Sequence, residues 1–209
     1  MEDVALVTMF DDTFKGISDI SLPNISKYCS LYNIPLYYSS DDLGKLKYNC
    51  HRPFSWNKVL YLIDLLPKHK WLVWMDIDAV FINFSIDIRS FINNNFSIIM
   101  RYHYKYNHIA AGVFFIKNDD ISKEFLLSTY WDVDDRIIND RWWEQLSMIY
   151  RLNNKRFKEA TCYKDCALFN NMNDNLGEKS LSETFIYHTA EGTVEEKINN
   201  IKSALPHVK

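Results

Sequence analysis

Apolar residues follow two rhythms along this chain: short unbroken runs alternate with longer stretches in which they recur every three to four residues. Val4 to Phe10 is the first run and ends at Asp11-Asp12, which predicts a buried strand. From Ile17 to Leu31 the apolar positions Ile17, Ile20, Ile25, Tyr28 and Leu31 keep helical spacing, with Pro23 expected to break or restart the helix. Ile34 to Tyr38 is a second strand. Ser55 to Leu66 predicts a helix capped by Ser55, with Val59, Leu60, Leu62, Ile63 and Leu66 on its apolar face and Pro67 as its stop. Trp71 to Met75 is a strongly apolar strand that runs directly into Asp76-Ile77-Asp78. Phe96 to Met100 and Gly112 to Ile116 read as further strands, and Ile121 to Tyr130 and Asp140 to Leu152 as helices. Phe157 to Thr161 and Thr184 to Tyr187 read as short strands, and Val194 to Leu205 as a final amphipathic helix.

Strands alternating with helices predict an α/β fold, a mostly parallel central sheet flanked by helices. In such sheets ligands bind at the carboxyl ends of the strands. Asp11, Asp76 and His188 each follow a predicted strand and are expected to meet at one edge. A chain of 209 residues with 47% hydrophobic content suits a single domain. Residues 1–100, which include the strand ending in Asp76-Ile77-Asp78, are expected to form one half of it and 101–209 the other, and further domains could follow.

Composition narrows the partners. The net charge is -3 and no basic block stands out, so nucleic acid is a poor expectation. The acidic Met1-Glu2-Asp3 start is unlike a secretory signal, and no run reaches the roughly 18 apolar residues of a membrane span. A soluble, cytoplasmic chain is expected. Cys29, Cys50, Cys162 and Cys166 are expected to be free thiols, the C-x-x-x-C spacing of the last two being weak for zinc. The sequons at Asn24, Asn83 and Asn95 mean little in such a chain. Aromatic residues make up 15% and most should be core. Tyr102, His103, Tyr104 and Tyr106 form an aromatic loop, either an acceptor groove or plain surface.

Asp76 and Asp78 carry the chemistry. Two carboxylates two residues apart at the end of a buried strand can share a divalent cation, and hard oxygen ligands suit magnesium or manganese. Such a cation keeps positions for substrate phosphates and neutralises charge as a nucleoside diphosphate leaves. An acidic strand end in a solvated turn is the plain alternative. A phosphohydrolase of the haloacid-dehalogenase type also places Asp-x-Asp after an apolar strand, but Ala79-Val80-Phe81 does not supply its Thr or Gly turn. A non-catalytic carbohydrate-binding module would use the aromatics and leave Asp76, Asp78 and His188 unexplained.

The segment from Ser55-Trp56-Asn57-Lys58 through Leu65-Leu66-Pro67 to Trp74-Met75-Asp76-Ile77-Asp78-Ala79 resembles the core of the GT-A glycosyltransferases. It is most similar to the family of yeast Golgi galactosyl/mannosyltransferases and plant xyloglucan xylosyltransferases, with the glycogenin-like family as a near relative. Ala110-Ala111-Gly112, Trp143-Glu144-Gln145 and the His188-to-Gly192 segment are similar to further family motifs and stand in the same order. The expected lack of a membrane anchor departs from the Golgi members, and with the many Asn, Ile, Lys and Tyr residues it makes the chain resemble the capsid-glycan transferases of large algal viruses.

This resemblance implies a GT-A (Rossmann-like) fold and transfer of a sugar from a nucleotide sugar, UDP-linked, to a hydroxyl of a glycan or glycoprotein. Retention is implied, with inversion open if Glu144, Asp140 or Asp132 serves as base. It implies Mn2+ or Mg2+ held by Asp76, Asp78 and His188. Thr8, Phe10 and Asp11 would hold base and ribose, and Lys58, Asp76 and Gly112 would contact the donor. Gln145 would lie near the reacting carbon with Glu144 beside it, and Trp56 would pack. Three positions depart from the family pattern: Ala110 replaces an Asn, Leu146 replaces an Asp, and the lysine expected soon after the His-Gly segment is absent, Lys197 coming late.

Overall fold

The structure, a computed structural model, describes residues 3–103, 107–164, 171–172 and 181–209. Tyr104, Tyr106 and Cys166 lie outside the described residues.

The chain begins with β1 (Val4–Met9), α1 (Lys15–Tyr32), β2 (Leu36–Ser39), α2 (Leu43–Tyr48) and α3 (Asn57–Leu65). Next come β3 (Trp71–Met75), β4 (Ala79–Phe81), β5 (Ile98–His103), β6 (His108–Lys117) and α4 (Asp120–Trp131). The remainder comprises α5 (Asp135–Ile138), α6 (Trp143–Arg151), α7 (Lys155–Glu159), β7 (Thr161–Lys164), β8 (Asn171–Met172), β9 (Ile186–His188) and α8 (Val194–Ala204).

Six strands form the main sheet in the order β2-β1-β3-β6-β5-β7. The β1–β2, β1–β3 and β5–β7 pairs are parallel, and β6 runs against both β3 and β5. A second sheet has the order β4-β9-β8.

Helices cover both faces of the main sheet, so its strands are apolar on both sides and read as continuous runs. Val4, Leu6, Trp71, Val73, Val113 and Phe115 face one core with Ile17, Ile25 and Tyr28 of α1 and Ile201 of α8. The alternate positions Ala5, Val7, Leu72, Trp74, Phe114 and Ile116 face the other, with Val59 and Leu62 of α3, Phe125 of α4 and Met148 of α6. Trp56 is buried there as expected, its indole donating to Ile138 O at 2.9 Å.

Several local expectations change. α1 runs through Pro23 without stopping. Its neighbour Asn24 is buried and clamps β4, donating to Phe81 O at 3.0 Å and accepting from Phe81 N at 2.8 Å. That amide is committed to the backbone, so the first sequon is structural. Ser55 does not cap α3; a 3-10 turn at Phe54–Trp56 precedes the helix, and Ser55 Oγ is buried without a hydrogen-bond partner. The strand expected at 157–161 is instead α7, started by the Asn154 side chain accepting from Arg156 N, with β7 following it. Cys29, Cys50 and Cys162 are free thiols. Among the described residues, no helix is long and apolar enough to cross a membrane.

Candidate active site

Three strands fix the acidic motif. Asp76 N donates to Gly112 O of β6 at 2.7 Å, extending the β3–β6 ladder past the end of β3. Ala79 N then donates to Asp76 O at 3.0 Å, closing a tight turn into β4. Thr189 donates to Asp78 O from both its N, at 3.0 Å, and its Oγ1, at 2.9 Å. Across the second sheet Ala79 pairs with His188. The smaller sheet therefore delivers His188 to the end of the larger one.

Asp76, Asp78 and His188 each offer a ligand atom, and these atoms all lie within 4.8 Å of one another. His188 Nε2 is 3.2 Å from Asp78 Oδ1 and 3.7 Å from Asp76 Oδ2. Two carboxylates and one imidazole are a donor set that fits Mn2+ or Mg2+. Gly112 makes room for the imidazole: a Cβ there would lie 2.0 Å from His188 Cε1. No larger residue fits under this ring.

Lysines flank the triad on both sides. Lys58 Nζ lies 3.0 Å from Asp76 Oδ1, 2.7 Å from Glu144 Oε1 and 3.2 Å from Ala111 O. These acceptors match its three N–H bonds. Burial works against the ammonium, but Asp76 and Glu144 outweigh it and hold Lys58 above the usual lysine range. Burial pushes the Glu144 carboxyl up, with Lys58 offsetting part of the rise. Glu144 Oε2 is buried and has no hydrogen-bond partner. On the other side Lys197 Nζ pairs with Asp78 Oδ2 and donates to Thr189 O at 2.6 Å and Ala190 O at 2.9 Å. Asp78 is also buried; burial raises its carboxyl, yet His188 and Lys197 carry it well below the usual carboxylate range.

A lysine that comes late in sequence, Lys197, nevertheless reaches the site. Gly192, at φ 104°, turns the chain into α8, where a Thr193–Glu196 capping box starts the helix. Lys197 sits one turn inside and points back at Asp78. The Thr193-x-x-Glu196 spacing was the sequence signal for that helix start.

A cleft of about 650 Å³ opens over this network. Phe10, Asp11, Lys58, Asp76, Asp78, Gly112, Glu144, Gln145 and His188, all expected at the site, line it. Thr8 does not: it is buried within β1, one residue before the strand end, with its hydroxyl unpartnered. Gln145 Oε1 accepts from Ala111 N at 2.9 Å, which orients its amide against β6. Of the aromatic loop, His103 lines the cleft and Tyr102 instead donates to Asn107. Besides Lys197, sequence reasoning missed Arg141, Trp142 and Trp143 on the cleft wall. Trp143 sits at φ 42°, an uncommon backbone conformation for a non-glycine residue, at the start of the helix that buries Glu144.

Residues 4–96, a little under half of the chain, match the galactosyl transferase GMA12/MNN10 family. No curated protein sequence matches. Among solved structures, a glycosyltransferase involved in the glycosylation of the major capsid of PBCV-1 is similar over 96% of this chain and 98% of its own, with a TM-score of 0.74 at 15% identity. The galactosyltransferase LgtC, in complex with donor and acceptor sugar analogs, is similar over 98% of this chain and 96% of its own, with a TM-score of 0.58 at 12% identity. The fold is that of the GT-A glycosyltransferases. GlyE of Streptococcus pneumoniae TIGR4 shares it over 97% of this chain and 63% of its own, with a TM-score of 0.58 at 11% identity. The family match covers the first strands and the acidic motif, and the shared fold covers nearly the whole chain.

Proposed function

We propose that this protein is a metal-dependent glycosyltransferase that moves a sugar from a UDP-linked donor to a hydroxyl of a glycan or glycoprotein, with retention. The observation that carries the reading is the convergence of ligand atoms of Asp76, Asp78 and His188 within 4.8 Å of one another on the lining of the cleft. Asp76, Asp78 and His188 would hold Mn2+ or Mg2+, which would supply charge neutralisation to a departing diphosphate. Phe10 and Asp11, at the neighbouring strand end, are the residues we assign to the base and ribose. Gln145 and Glu144 lie beside the donor position, and Lys58 acts on it through Asp76. Of the carboxylates considered as an inverting base, Asp132 and Asp140 do not line the cleft and Glu144 is buried against Lys58, which supports retention.

The test is turnover of UDP-glucose, UDP-galactose, UDP-xylose and UDP-rhamnose, followed by UDP release with and without Mn2+. Cation-dependent release from at least one donor, lost in Asp78→Asn, is expected. Release of phosphate from simple esters, with no turnover of any nucleotide sugar, would show a hydrolase instead.

A further inference from the structure

Each carboxylate of the triad has one oxygen already engaged. Asp76 Oδ1 accepts from Trp74 Nε1 at 2.6 Å and pairs with Lys58 Nζ at 3.0 Å. Asp78 Oδ2 pairs with Lys197 Nζ. The other two oxygens, Asp76 Oδ2 and Asp78 Oδ1, are the ones near His188 Nε2, at 3.7 Å and 3.2 Å. One oxygen of each carboxylate therefore faces the imidazole and the other faces an ammonium.

The capping groups are firmly held. Lys58 and Lys197 are 5% and 6% exposed, and each also bonds to backbone carbonyls, Lys58 to Ala111 O and Lys197 to Thr189 O and Ala190 O. Trp74 is buried, with Lys58 Nζ 5.2 Å from its ring centroid. Moving either lysine breaks several bonds at once and strands a buried charge.

We propose that Lys197 on one side, and Lys58 with Trp74 on the other, are cation-selectivity residues that leave Asp76 and Asp78 a single oxygen each to offer beside His188. This rests on the triad being the metal site. Mg2+ and Mn2+ accept single-oxygen carboxylates, whereas Ca2+ takes about 6–8 oxygen ligands and commonly uses both oxygens of a carboxylate. The two capped oxygens are the ones Ca2+ lacks here. The lysines also weaken attraction for any cation, but that charge effect is equal for two divalent ions. The ratio of the two affinities isolates the geometric effect.

The experiment measures Mn2+ and Ca2+ binding by calorimetry, with Mn2+ also followed by electron paramagnetic resonance. The proteins are wild type, Lys197→Met, Lys197→Arg, Trp74→Phe and Asp78→Asn. Wild type is expected to favour Mn2+ by about tenfold or more. Lys197→Met should bind both ions more tightly but cut that preference by about tenfold, the scale of a lost orienting contact. Lys197→Arg, which keeps a capping cation, should hold the wild-type ratio. If Lys197→Met does not fold, Trp74→Phe removes a cap without changing charge and should cut the ratio by about threefold. A ratio unmoved in whichever of these two variants folds, or a wild type that binds Ca2+ as tightly as Mn2+, overturns the proposal. Unchanged Mn2+ binding in Asp78→Asn would instead overturn the metal-site reading beneath it.

Discussion

Gly112→Ala places a carbon where the His188 ring already sits. The new Cβ would lie 2.0 Å from Cε1, 2.6 Å from Nδ1 and 3.0 Å from Nε2, far inside the ~3.5–4.0 Å of an ordinary carbon contact. The ring has little room to retreat, because His188 is buried and its backbone is paired with Ala79. β6 is equally fixed, since Gly112 O accepts from Asp76 N. Overpacking of this kind costs about 1–3 kcal/mol. At ~2–4 °C per kcal/mol for a chain of this size, Tm should fall by about 2–12 °C. Turning the imidazole away from Asp78 should also weaken Mn2+ binding by about 10–100-fold. Differential scanning fluorimetry and Mn2+ calorimetry read both effects. The decisive control is the same substitution in a His188→Ala background, where its stability cost should shrink below about 0.5 kcal/mol. An equal cost in both backgrounds would refute the placement of the ring over Gly112.

Glu144→Gln removes one of the two carboxylates around Lys58; with Asp76 remaining, the expected loss in chemical denaturation is about 1–3 kcal/mol, below the ~3–5 of a buried pair broken outright. The Asp42 carboxyl is held below its usual range: burial raises it, but hydrogen bonds from Lys45 and Asn57 outweigh that. A depressed carboxyl stabilises the fold above its unfolded value of ~3.9, and this contribution is lost as pH falls through the folded value. Thermal melts across the acid range should therefore fall less steeply for Asp42→Asn than for wild type. Asn33 ends α1 in the left-handed region at φ 52°, so Asn33→Ala should cost about 1 kcal/mol while Asn33→Gly stays near neutral, as equilibrium unfolding can measure.

The sequence revealed the main sheet because burial on both faces turns strands such as Val4–Met9 and Trp71–Met75 into unbroken apolar runs. It revealed Asp76 and Asp78 because carboxylates directly after such a run are conspicuous. The second sheet was harder to see: β4 has only Ala79, Val80 and Phe81, all buried, too few positions to show a strand pattern of their own. The segment 157–161, which opens on Phe157, suggested a strand, yet the Asn154 cap and its charged neighbours favour a short helix. Thr8 looked available because a strand end was expected near it, but its side chain points into the sheet's packing. Lys197 was dismissed on spacing, and only the turn at Gly192 and the helix after it bring the ammonium to Asp78. Motif spacing fixes distance along the chain, and a helix start converts it into direction.

We propose that Asp76, Asp78 and His188 hold a cation that helps bind a nucleoside diphosphate. Calorimetry of UDP binding, with and without Mn2+, tests it most directly in wild type, Asp78→Asn and His188→Ala. UDP should bind wild type at least about tenfold more tightly with Mn2+ present, and both variants should lose that gain. Equal UDP affinity with and without Mn2+ in wild type, or an undiminished gain in the variants, would contradict it.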